Sequence, residues 1–370
     1  MEKSYKLRLY PNRRQRRLLD KTFGCSRFVY NYFLNKCNTL IENGESRLSF
    51  AECSRLLTQL KKELLWLKEP DKFALQNVLK DLSIAFDRYY NNISGYPNFK
   101  KKGSKNSYRT NFTNNNIEFK NGKVKVPKLG YVKCKGYKSI SGRILNATLS
   151  KTGSGNYFIS ICCTDVDIDK SNYPLTNKSV GLDLGIKDFV ITSDGIKFEN
   201  PRFLEKSLEK LAKANRELSR KPRFSSNWFK AKRKVAKLHE KIANQRKDYI
   251  NKLTTSLVRN YDIICFETLN VKNMIKNPKL SRCIADVSWF EFIRQLKYKC
   301  EWYGKEVSSV DTYFASSQIC SNCGYKNPEV KNLSIRNWEC LNCGINHDRD
   351  INASKNILTK GLKELENKKR

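Results

Sequence analysis

The sequence predicts an α+β chain of several domains: an N-terminal β-barrel with a helical insertion, then an α/β domain with an inserted zinc ribbon. Three observations predict it. Short alternating stretches cluster over residues 108–165, behind a long helical pattern. Buried-type strands recur after residue 178 between basic amphipathic helices, and two Cys-x-x-Cys pairs interrupt the last passage from strand to helix.

Charge narrows the function before any motif does. Against 36 Asp+Glu stand 72 Lys+Arg, a formal net charge of +36 over 370 residues. That excess opposes compaction and marks a surface for polyanions. No apolar run reaches the ~18 residues of a membrane span, and the N-terminus (MEKSYKLRLYPNRRQRR) lacks the apolar core of a signal peptide. The expectation is a soluble cytoplasmic protein whose partner is nucleic acid and not membrane.

Residues 4–10 (SYKLRLY) alternate as a strand, and Pro11-Asn12 opens an arginine-rich helix. Ser49 and Glu52 form a capping box before the next helix, and a third runs over about 71–92 with apolar and aromatic residues at helical spacing. "SGYPNFKKKGSKN" breaks it, and the stretches "KVKVP", "YVKCKGY" and "NYFISICCT" follow as short antiparallel strands. Two basic clusters lie in this half, Arg13, Arg14, Arg16 and Arg17, and Lys100, Lys101 and Lys102. Each is either a solvated face or a phosphate contact, and the pattern alone does not choose.

A polar stretch, 166–178, reads as a linker. "SVGLDLG" then gives an apolar strand ending in Asp183, followed by a strand at 188–193, an Asp-Gly turn and a third strand. A carboxylate flanked by glycines in a buried strand is costly unless paired or bound to a cation. Two basic amphipathic helices fill 203–258, with a break at "SRKPRFSSN"; His239 among the lysines of the second reads as a surface residue. "DIICFETLN" repeats the anomaly of Asp183, a buried strand ending in Glu267. A helix over 289–303 and the strand "EVSSVD" come next.

Of thirteen cysteines, nine are scattered through apolar or helical contexts and read as reduced, buried small hydrophobes. Cys320, Cys323, Cys340 and Cys343 form two Cys-x-x-Cys pairs, each followed by a glycine suited to a tight knuckle. Four thiolates at this spacing predict structural Zn²⁺. The chain then resumes with "HDRDINASKNIL", where Asp348 suits a helix cap and Asp350 shares a helix face with Ser354 and Ile357. With four cysteines completing the tetrahedron, His347 is not needed as a ligand.

Strand with Asp, hairpin, helices, strand with Glu, helix, strand, helix with Asp is the layout of an RNase H-like nuclease. An acidic trio suits phosphodiester hydrolysis by two Mg²⁺, which require several carboxylate oxygens.

The motifs "GLDLG", "FETLN", "SSQICSNCG" and "CGINHDRDINASKNI", in that order, resemble the RuvC-like domain with zinc ribbon of the transposon-encoded TnpB proteins, ancestors of type V CRISPR effectors. "KLRLYPNRRQRRLL", "FGCSRFVYNYFLN" and "GYPNFKKK" resemble the same family, so the likeness spans nearly the whole chain. It implies an RNA-guided DNA endonuclease that takes its guide from the transposon end and cuts beside a short flanking motif. Carried over by motif, the catalytic and Mg²⁺-binding residues are Asp183, Glu267 and Asp350. The resemblance divides the chain into a barrel (1–10 and 105–170), a helical recognition insertion (11–104), a RuvC-like domain (178–317 and 347–370) and the ribbon (318–346). It implies that the first half holds the guide–target heteroduplex and reads the flanking motif. It implies a monomer or weak dimer. Three rivals remain at this stage: a binding regulator that does not cut, a zinc-ribbon transcription or translation factor, and a miniature type V effector.

Overall fold

Hydrophobic alternation builds the first sheet. The computed structural model describes every residue except Ser104, Lys105, Lys138, Lys279 and Arg370, so the expected 104/105 boundary lies outside the described residues. The chain divides into two compact units, Met1–Asp167 and Ile168–Arg370.

In the first unit, β1 (Lys3–Tyr10) leads through α1 (Arg13–Glu42), α2 (Phe50–Glu63) and α3 (Lys72–Tyr90). The strands β2 (Asn106–Asn111), β3 (Glu118–Lys120), β4 (Lys123–Val126), β5 (Gly130–Lys135), β6 (Arg143–Lys151) and β7 (Tyr157–Thr164) follow. Asn12 and Gln15 close a capping box on α1, Ser49 and Glu52 close the expected one on α2, and Asp71 caps α3. The three helices bury one face each around Val29, Phe33, Leu57, Leu79 and Phe86. The sheet runs β2-β6-β7-β1-β5-β4-β3, with every pairing antiparallel. Tyr5, Leu7 and Leu9 of β1 and Tyr157, Ile159, Ile161 and Cys163 of β7 are buried at every second position. The expected barrel is therefore a seven-stranded antiparallel sheet, and among the described residues no pairing of β2 with β3 closes it.

The second unit opens with β8 (Ser179–Asp183), β9 (Asp188–Thr192) and β10 (Lys197–Glu199). The helices α4 (Leu208–Ser219) and α5 (Ser226–Asn260) lead to β11 (Ile263–Glu267). After the short α6 (Val271–Met274) and α7 (Ser281–Val287) come α8 (Trp289–Tyr303) and β12 (Glu306–Val310). The hairpin β13 (Asn337–Glu339) and β14 (Asn346–Asp348) precedes α9 (Arg349–Lys369).

The five-stranded sheet is mixed, in the order β10-β9-β8-β11-β12. Strands β8, β11 and β12 are parallel, and β9 and β10 add antiparallel at one edge. Side-chain alternation divides its faces. Val180, Leu182, Ile264 and Phe266 pack against Leu253 and Leu257 of α5 and Phe292 and Leu296 of α8. Cys265 and Val310 face the other way, against Ile357 of α9. On that face α9 lies too close for side chains at two points. A Cβ on Gly181 would come within 2.0 Å of the Ser354 carbonyl oxygen, and one on Gly361 within 2.6 Å of Cys265 Sγ.

The segment expected as a linker is tied down at its end. Asp262 accepts hydrogen bonds from the backbone N–H groups of Thr176 and Asn177 at 2.8 and 2.6 Å. Lys305, whose side chain is wholly buried, pairs with Asp262 and donates to the Pro174 carbonyl. Asp262→Ala leaves a buried cation without its anion, at a cost of about 3–5 kcal/mol. The expected result is a fall of roughly 6–20 °C in the melting temperature, largely recovered by combining it with Lys305→Met; equal melting of Asp262→Ala and wild type would refute the assignment.

Of the nine scattered cysteines, Cys283 is exposed and Cys162 half-buried, and the other seven are buried; all are free thiols. His239 is exposed, as expected.

Candidate active site and metal centre

Asp183 and Glu267 end adjacent parallel strands at the C-terminal edge of the sheet, where open α/β sheets place their ligands. The parallel register sets Phe266 beside Leu182, so Asp183 and Glu267 leave adjacent strands one position further on. Asp350 stands in the first turn of α9, on the helix that the bare backbone at Gly181 draws onto β8. Burial pushes the Asp183 carboxyl up to about 7, reinforced by the negative charges of Asp350 and Glu267. Glu267 is likewise pushed up to about 7, by burial.

Asp348 caps α9: one carboxylate oxygen accepts from the N–H groups of Asp350 and Ile351 at 3.0 and 3.1 Å, and the other from Lys197 Nζ at 2.6 Å. Asp350 accepts from Arg336 Nη1 at 3.3 and 3.4 Å. Among the described residues the three carboxylates are not gathered as tightly as the cysteine sulfurs described next.

A pH dependence follows from the two raised carboxyls. Their native pKa values lie above the ~4 of unfolded carboxyls, so their contribution favours folding below about pH 4 and is lost as pH rises through about 7. In buffer without added Mg²⁺ or Mn²⁺, Asp183→Asn is expected to gain melting temperature over wild type between pH 5 and 8. A difference that stays flat over that range would contradict the shift.

The four sulfurs of Cys320, Cys323, Cys340 and Cys343 lie within 4.8 Å of one another. Cys320 and Cys343 are 3.7 Å apart, and Cys323 and Cys340 3.5 Å. Bonds of about 2.3 Å to a central zinc would place tetrahedral sulfurs ~3.8 Å apart, so the donor set fits Zn²⁺. Both knuckles fold alike. Gly324 N–H donates to Cys320 O at 2.9 Å and Gly344 N–H to Cys340 O at 2.8 Å, both glycines at positive φ. A hydrogen bond from Asn342 heads the causes that hold the Cys323 thiol down at about 6, which favours the thiolate a metal requires. His347 Nε2 lies 3.0 Å from Cys320 Sγ, outside the four sulfurs, with its ring 4.8 Å from Trp338.

The second knuckle lies between β13 and β14, and β14 carries the chain from it into α9, spanning the boundary expected at 346/347. From α9, Asn352 accepts from Ser321 N–H at 2.9 Å and donates to Ile319 O at 2.7 Å. Asn356 donates to Ile319 O at 2.6 Å and Ser316 O at 2.8 Å. The root of the ribbon is thus bonded to the helix that carries Asp350.

Arg13, Arg14, Arg16 and Arg17 are exposed on the first two turns of α1. Lys100, Lys101 and Lys102 are exposed in a loop held to α1 by reciprocal hydrogen bonds between Asn31 and the Lys100 backbone. Sequence reasoning missed Arg336, Lys197, Asn352 and Asn356. The two asparagines stand in the "DINASKN" run one turn apart, a spacing that marks a common helix face; Arg336 and Lys197 carry no comparable signal.

Comparison with known proteins covers nearly the whole chain. The family model OrfB_IS605, described as a probable transposase, matches residues 160–278. A Cas12f1-like TNB domain matches 289–357, and a helix-turn-helix domain of the same OrfB family matches 1–46. A Streptomyces pristinaespiralis protein named "Putative RNA-guided DNA endonuclease" is 36% identical over 98% of this chain and 90% of its own. An Escherichia coli K12 protein, "Putative RNA-guided DNA endonuclease InsQ", is 33% identical over 97% of this chain and 92% of its own. Among solved structures, the protein of a Cas12f1–sgRNA–target DNA complex shares the fold with a TM-score of 0.56 at 12% identity, over 96% of this chain and 98% of that one.

Proposed function

This chain belongs to the OrfB/IS605 family of TnpB-like RNA-guided DNA endonuclease homologues, and from that premise we propose that it cuts DNA at sites chosen by a bound RNA. The observation that carries the reading is that Asp183 and Glu267 end neighbouring parallel strands, with Asp350 in the first turn of the helix packed on β8. Three oxygen-donor groups with mutually unfavourable charge suit hard divalent cations such as Mg²⁺. Bound there, such ions would supply an activated water and charge neutralisation at the leaving oxygen.

The chain's own residues divide the remaining work. Asp183, Glu267 and Asp350 hold the cations, and Asp348 and Lys197 fix the start of the helix that presents Asp350. The mixed sheet with these acids at its edge is the RNase H-like, RuvC-type domain. The four cysteines hold Zn²⁺ and set the fold of residues 318–346. The first unit, a seven-stranded antiparallel sheet with its helical insertion, handles the guide–target heteroduplex and the flanking motif. Its exposed Arg13, Arg14, Arg16 and Arg17 and Lys100, Lys101 and Lys102 serve as phosphate contacts.

The test is to purify the protein with the RNA it carries, sequence that RNA, and offer DNA matching its variable end. A discrete transcript and Mg²⁺-dependent cuts at the matching site are expected. Random cellular RNA, or binding to the matched DNA without cuts, would overturn the reading.

A further inference from the structure

The tip of the α4–α5 hairpin carries three aromatic rings where a helical turn needs none. Phe224 is 76% exposed and Phe229 53% exposed, with the half-buried Trp228 between them. Ring centroids of Phe224 and Trp228 are 5.7 Å apart, and those of Trp228 and Phe229 5.1 Å. Lys232 Nζ lies 4.8 Å from the Trp228 ring centre.

An ordinary explanation is available and fits poorly. Ser225 caps α5, so Phe224 and Phe229 occupy the two positions of a hydrophobic staple, whose purpose is to bury both side chains against each other. Here both remain mostly in solvent. Phe224 also sits at φ 67°, a left-handed conformation that a bulky residue rarely adopts. Strain and exposed apolar surface at one turn are costs without a folding return.

The surroundings identify what would cover the rings. Residues 220–239 contain no Asp or Glu, and Arg220, Lys221, Arg223, Lys230 and Arg233 are all exposed around the tip. A protein partner drawn to apolar rings would have to bring its own acidic rim. Unpaired nucleic acid brings both parts already: flat base faces for the rings and phosphates for the cations.

We propose that the α4–α5 tip is a stacking platform for single-stranded nucleic acid, with bases on Phe224, Phe229 and Trp228 and phosphates on the flanking Arg and Lys. A duplex hides its base faces, so the platform discriminates for unpaired strands. The proposal rests on the nucleic-acid reading above but requires neither guide nor cleavage.

The test uses the full chain without Mg²⁺ and an oligo(dT) of about 12 nucleotides, within the ~4–16 nucleotide range of single-strand sites, bearing 5-iodouracil. Irradiation is expected to cross-link the tryptic peptide Phe224–Lys230. Phe224→Ala with Phe229→Ala should weaken binding by about fivefold or more without changing the salt slope, which belongs to the cations. Phe224→Leu with Phe229→Leu keeps apolar bulk and should weaken binding too, while an equally long duplex binds all variants alike. Cross-links that avoid the peptide, or equal loss of strand and duplex, would overturn the platform. So would loss of self-association in the alanine variant with oligo(dT) binding unchanged, since that result would assign the tip to a second copy. Failure of guided cleavage would leave every one of these readouts interpretable.

Discussion

Asp183→Ala is expected to abolish guided DNA cutting while the protein still folds and keeps its RNA. The side chain stands at the end of β8, half-buried, and its removal relieves the crowding of negative charge at that sheet edge. Stability therefore does not fall with activity. Carboxylates that hold catalytic cations support several kcal/mol of transition-state stabilisation, so the expected loss is about a thousandfold or more. Glu267→Gln should behave alike, because it keeps the volume and hydrogen-bonding capacity but removes the charge. The measurement is cleavage of end-labelled matched DNA by protein purified with its RNA, alongside RNA content and melting temperature. Residual cleavage within tenfold of wild type would move the chemistry away from this edge.

Cys320→Ala is expected to cost as much activity by a different route. Structural zinc in small domains contributes about 10–16 kcal/mol of apparent binding free energy, and the ribbon core has little else. Its buried hydrophobic cluster is Cys320, Val330, Trp338 and Cys340, with Tyr325, Ile335 and Cys343 partly buried against it. Without the metal, residues 318–346 should become sensitive to protease. The damage then reaches Asp350 through Asn352 and Asn356, which bond the backbone at 316–321, and through β14, which runs directly into α9. Zinc content by dye release, limited proteolysis and cleavage are the three readouts. A variant that loses zinc but cuts at near wild-type rate would show that the ribbon and α9 are independent.

Much of this was legible in the sequence, and the legible part has a common physical basis. Asp183 and Glu267 stood out because a carboxylate ending a run of Val, Leu, Ile and Phe contradicts its surroundings. The zinc set stood out because thiolate ligands repeat at a fixed spacing. Both capping residues of α2 were readable, since the bonds they make are local. The closure of the first sheet was not, because alternation marks a strand but not its neighbours; a barrel and an open seven-stranded sheet share one pattern. Asp350 could be placed on a helix face but not chosen over Asp348 by geometry alone, and the family motif made that choice. Arg336 was invisible for a simpler reason. Its ion pair with Asp350 joins a loop to a helix start, and no periodicity links the two.

The continuity of β14 with α9 constrains how this chain can tolerate insertions. A helix turns through about 100° per residue, and the face of α9 is set by Ser354 against Gly181 and Gly361 against Cys265. One residue added between Asp350 and Ser354 would therefore swing Asp350 by roughly a quarter turn away from Asp183, with every carboxylate, cap and cysteine still present in the sequence. A residue added between the knuckles, beside the exposed Leu333, leaves that phase untouched. The ribbon is free to vary in length at its far end, and the first turn of α9 is where an added residue would move Asp350.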